Sequence, residues 1–204
     1  MNPVFRPRPL LLALGALLLL AFWLSLALGP VSLPLGDTLL AALRLLGLPV
    51  GSAELQQAEL ILGQIRLPRS LLGLCVGAVL ALSGVAMQGL FRNPLADPGL
   101  VGVAGGAALG AAIAIVGGSL IGGLPAAWSP YLLSICAFGG GLLVTAIVYR
   151  FGRRDGQTHV ATMLLAGVAM TAMSGAGVGL FTYLADDATL RSLTFWNLGS
   201  LNGA

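Results

Sequence analysis

The chain has 204 residues, 57% of them hydrophobic and only 8% charged. A soluble domain carries about 25% charged residues, so this composition excludes an aqueous catalytic domain and implies an integral membrane protein. The net charge is +3, from ten basic residues and seven acids; every basic residue is an arginine, and they border apolar runs as interfacial charges do, so no nucleic-acid-binding patch is expected.

Five apolar stretches of about 20 residues are long enough to cross the hydrocarbon layer. They run over residues 10–28, 71–90, 100–120, 131–149 and 161–184. The predicted fold is all-α and polytopic, with residues 1–204 forming a single transmembrane domain. The first stretch follows Arg6 and Arg8 as a signal peptide would, but its core is longer than a signal core and Pro30 stands where cleavage would fall. An uncleaved first helix is therefore expected.

Residues 29–65 come next, with Pro30, Pro34 and Pro49 breaking them up. Asp37 is the expected N-cap of a short helix carrying Leu39, Leu40, Leu43 and Leu46. Residues 53–65 read as an amphipathic lead-in lying on the membrane. Arg66 and Arg69 then flank Pro68 at the mouth of the second span, where snorkelling side chains would anchor it. That span ends in Arg92-Asn-Pro-Leu-Ala-Asp-Pro98. Pro94 and Pro98 remove backbone donors and forbid a continuous helix, and Asn93 and Asp97 are suited to satisfy the free amides of a tight turn. Irregular backbone at membrane depth must be buried in protein or line water, so a structured hairpin in a packed bundle is expected.

Glycines recur at helix-contact spacing. Gly73 and Gly77 are four apart, as are Gly102, Gly106 and Gly110, and Gly175 and Gly179. Small residues on one face let membrane helices approach closely, the role expected here; lining a conduit for a bulky solute is the alternative. Cys75 and Cys136 fall inside apolar spans and read as packing residues, with no metal site expected.

Placing the N-terminus in the cytoplasm puts Arg6, Arg8, Arg92, Arg150, Arg153 and Arg154 inside, and Arg44, Arg66, Arg69 and Arg191 outside with most of the acids. That is the asymmetry the positive-inside rule asks for. No Asp, Glu, Lys, Arg or His lies in the interior of a span. Ion-coupled carriers usually need such groups, so energy from a separate ATPase is the simplest expectation. An intramembrane hydrolase is the rival from another class, and Ser83 and Ser174 offer hydroxyls. The single histidine, His159, sits at the edge of the last span, where a solvated loop residue is expected rather than a general base.

Several of these segments together resemble a known family. Arg66-Leu-Pro-Arg69, Gly77-Ala-Val-Leu-Ala-Leu-Ser-Gly-Val-Ala-Met-Gln88, Arg92–Pro98, Leu164-Leu-Ala-Gly-Val-Ala169 and Phe195-Trp-Asn-Leu-Gly-Ser-Leu201 are similar, in order and spacing, to permease subunits of binding-protein-dependent ABC importers of the FecCD type. Members carry iron–siderophores, haem or cobalamin across the bacterial inner membrane. The resemblance implies a homodimer with a central path, a periplasmic binding protein that delivers solute, and two ATP-binding subunits that use ATP, with no cofactor held by the permease. It implies that Arg66 and Arg69 dock the binding protein, and that Thr158 and His159 belong to a cytoplasmic gate. Leu190–Leu201 looks most like the haem members, with siderophore and cobalamin as alternatives. Family members have about ten spans, so the resemblance also implies that these residues are an amino-terminal part.

Overall fold

The structure, a computed structural model, describes residues 7–48, 50, 55–121, 129–154 and 156–201. Arg6, Glu54 and Asp155, which enter the charge asymmetry, lie outside the described residues. The helices are α1 (Pro7–Ala27), α2 (Leu35–Leu45), α3 (Gln56–Ile61), α4 (Leu67–Phe91), α5 (Val103–Ile121), α6 (Ser129–Gly152), α7 (Val160–Leu184) and α8 (Asp187–Leu198). A two-stranded antiparallel ribbon, β1 (Arg153–Arg154) and β2 (Gln157–Thr158), joins α6 to α7 with Arg153 opposite Thr158. Four helices among the described residues are long and apolar enough to cross a membrane: Arg8–Ala27, Gln56–Phe91, Tyr131–Gly152 and Val160–Leu184.

The remaining expected span is shorter than its sequence suggests. Pro98–Val101 forms a 3-10 turn and Gly102 takes a φ of 78°, so α5 begins at Val103 rather than at residue 100. The 19 residues of α5 rise about 28 Å, close to the thickness of the hydrocarbon layer.

The chain divides into two compact units, Met1–Val79 with Leu201–Ala204 and Leu80–Ser200. In the first, α2 and α3 pack together beside the end of α1, and Leu26, Ala41, Ala58 and Leu62 form a small core. Asp37 is not the cap of α2. Pro34 is the N-cap residue, with no side-chain cap bond, and the Thr38 hydroxyl donates to the Pro34 carbonyl at 3.1 Å. Asp37 sits in the first turn, where its charge still complements the helix dipole. Gly47, at φ 88°, closes the other end: its amide donates to Arg44 O and that of Leu48 to Leu43 O, the Schellman pattern.

The lead-in is not a separate surface helix either. α3 passes through a π-helical turn, Leu62–Arg66, directly into α4, giving one helical run of 36 residues, Gln56–Phe91. Pro68 explains the turn: it has no amide to donate to a carbonyl one α-turn back, and widening the helix just before it accommodates the missing bond.

In the second unit α5 packs against α6, α7 and α8. One core gathers Phe91, Ala96, Val101, Val144, Val148 and Met163, and a second gathers Ala112, Val116 and Leu193. α8 was not among the expected elements. Asp186 caps it, its carboxylate accepting the Thr189 amide at 2.9 Å, and Leu193 carries it onto α5.

Candidate functional site

Charge, irregular backbone and close helix contact concentrate at four places. The first lies at the end of α1. Arg66 occupies the last position of the π turn and is only 7% exposed. Its guanidinium donates to the carbonyls of Leu26 and Ala27, each at 2.7 Å, and to that of Val31. These include the last carbonyls of α1, which carry the negative end of the helix dipole and lack intrahelical donors. Arg66 thus caps a helix some forty residues earlier in the chain, and Gly29 lies so close beneath it that a Cβ there would fall 2.8 Å from Nη2. The expectation of an outward-facing pair therefore divides: Arg66 is turned into its own chain, and Arg69 is exposed. The Ser25 and Ser70 hydroxyls meet nearby at 2.7 Å.

The second place is the junction between α4 and α5. Arg92 ends α4 at φ 48°, a left-handed conformation that is uncommon for a residue with a Cβ. The Asn93 amide reaches back to Gln88 O at 3.2 Å and the Arg92 amide to Gly89 O at 3.4 Å, again the Schellman arrangement. The Asn93 side chain then accepts the Leu95 amide at 3.0 Å, and Asp97 accepts the Gly99 amide at 2.7 Å while Pro98 opens the 3-10 turn. Pro94 and Pro98 fall where donors are not needed, and Ala96 is buried against Phe91 and Val148.

The third is the α5–α6–α7 contact. A Cβ on Gly106 would stand 2.5 Å from Gly140 O, one on Gly110 would overlap Cys136 O, and one on Gly102 would press Val144. Gly73 has only ordinary contact with Leu201, and Gly77, Gly175 and Gly179 have nothing within 4 Å. Packing within the chain thus explains the Gly102, Gly106 and Gly110 row and does not explain the others. Sequence spacing missed the partners: Gly140, which faces Gly106 O, and Gly167, which faces Leu100 O. The run Gly139-Gly140-Gly141 was the available signal.

The fourth is the ribbon between α6 and α7. Thr158 is exposed on β2, and His159 is exposed at the N-terminus of α7, its amide donating to Gly152 O at 2.8 Å with no side-chain cap bond. Ser83 Oγ donates to Leu80 O at 2.9 Å, and the Ser174 hydroxyl is buried with no partner among the described residues. Neither Ser83 nor Ser174 bonds His159 among the described residues.

The sequence profile of the FecCD transport family matches residues 17–204. The chain belongs to the FecCD transport family. The hemin transport system permease protein HmuU of Yersinia pestis is 47% identical over 140 residues, covering 69% of this chain and 41% of that protein. The vitamin B12 import system permease protein BtuC of Salmonella paratyphi A is 42% identical over 195 residues, 95% of this chain and 52% of that one. A solved structure described as of the metal-chelate ABC transporter type, in an inward-facing conformation, superposes with a TM-score of 0.73 at 32% identity. It covers 97% of this chain and 55% of its own. The chain therefore spans about half the length of the relatives it matches.

Within this FecCD chain the polar groups are used mainly to hold backbone. Arg66, Asn93, Asp97 and Asp186 each satisfy backbone donors or acceptors at an element end. Asp186 is held below the ordinary carboxylate value of 3.8 by its bonds to the side chain and amide of Thr189.

Proposed function

We propose that the chain works as a membrane-spanning permease part of an ABC importer that carries haem. The observation that carries this reading is the family match over residues 17–204, together with 47% identity to a hemin permease. On this reading the protein lies in the bacterial inner membrane with its N-terminus in the cytoplasm, pairs with a second permease copy, and receives solute from a periplasmic binding protein. Two separate ATP-binding subunits supply the energy.

The geometry suits such a role. α5, α6 and α7 touch backbone to backbone through glycines, the close approach that small residues allow between membrane helices. Thr158, on β2 of the α6–α7 ribbon, and His159, at the start of α7, are assigned to the gate. With Arg66 turned inward, binding-protein docking at this corner rests on Arg69, whose exposed charge would steer and hold a carboxylate.

Vitamin B12 is the second reading, favoured by the longer alignment to BtuC, 195 residues against 140; a ferric siderophore is the third. Deleting the gene in its host and measuring uptake of labelled haem, cyanocobalamin and ferric siderophore separates them. Haem uptake should fall to background with the other two unchanged. Loss of cyanocobalamin uptake with haem uptake intact would replace the reading by the second.

A further inference from the structure

A cavity of about 290 Å³ opens in the first unit, and Arg66, Arg69, Ser25 and Ser70 supply its polar wall. None of the described residues that line it is acidic. Among the described residues the Arg66 guanidinium donates to three carbonyls, and the end of α1 contributes about half a negative charge. Arg69 has no ion pair among the described residues; the pair found there is Arg44–Glu59 at 3.5 Å. With two guanidinium groups and no acid among the described lining residues, the cavity wall is positive. Its two serines add donors: their mutual bond uses one hydroxyl hydrogen, and the other is left for a guest. Such a site fits an oxyanion with about one negative charge.

The other wall indicates where that anion comes from. Leu28, Val31, Ile61 and Ile65 give the cavity an apolar side, for which a free ion has no use. Ser25 lies two residues before the end of α1, a span whose Leu14, Leu17 and Leu18 are more than half exposed, as acyl-facing side chains are. We propose that this cavity binds the phosphodiester of an anionic phospholipid, with Arg69 and the serine pair holding its oxygens and the apolar wall receiving the glycerol end. The site does not depend on which solute is carried. It does place a second claim on Arg69, alongside binding-protein docking.

Native mass spectrometry of the detergent-solubilised full chain, titrated with phosphatidylglycerol, tests it. One lipid should be retained per chain. Affinity should fall roughly tenfold in Arg69→Gln and in Ser25→Leu, which fills the cavity without changing its charge, and Arg69→Lys should keep part of it. Unchanged retention in both Arg69→Gln and Ser25→Leu would mean unspecific lipid and overturn the proposal. Displacement by inorganic phosphate at the lipid's own concentration would make this a free-anion site. Displacement by an acidic peptide at that concentration would make it a protein-docking site, and either result overturns the proposal too.

Discussion

Gly110 and Gly179 look alike in sequence, each closing a small-residue spacing on an apolar helix, yet their surroundings differ. A methyl group on Gly110 would enter the space of Cys136 O, whereas one on Gly179 would meet nothing within 4 Å. Gly110→Val should therefore destabilise the protein by about 1–3 kcal/mol, the range for overpacking, while Gly179→Ala should be near neutral within the chain. Thermal unfolding in detergent checks both; equal losses would show that Gly179 meets a surface of its own. Spacing reveals that a glycine can permit close approach, but the partner helix decides whether it does. Arg66 teaches the same lesson. Its position beside Pro68 at a span border was legible, but its direction was not, because the carbonyls it caps lie forty residues away.

At the scale of elements, the long spans were readable because charges mark their borders and apolar runs fill them. Where the reading failed, local chemistry outweighed pattern. Pro34 rather than Asp37 starts α2, the π turn before Pro68 fuses the lead-in to α4, and Gly102 delays α5 to Val103. The α8 helix was missed although Asp186 and Thr189 carry a capping signal, because its 12 residues mix polar and apolar positions without a long apolar run. Its cap gives a pH dependence. The folded-state pKa of Asp186 lies below the ordinary 3.8, so the cap contributes above that value and is lost as pH falls through the lower folded value. The Tm difference between wild type and Asp186→Ala should thus be present at neutral pH and vanish in acid below the ordinary carboxylate range. A difference that persists there would mean that the carboxylate is not the operative group.

For the whole molecule, fold class and family were legible from sequence because several motifs keep their order over most of the chain; the residues that contact solute were not, since no charged side chain marks a path. Topology is the first property to settle. With the native Cys75 and Cys136 replaced, Leu46→Cys should label only from the periplasmic side and Gln157→Cys only from the cytoplasmic side. Labelling of both from one side would contradict the orientation inferred from the arginines. The most direct test of the importer reading is transport itself, in proteoliposomes containing the permease complex, its ATP-binding subunits and the haem-loaded binding protein. Haem should accumulate inside only when ATP is supplied on the cytoplasmic face, and Arg69→Glu should reduce the rate most at low salt. Haem entry at the same rate without ATP, or none with every component present, would contradict it.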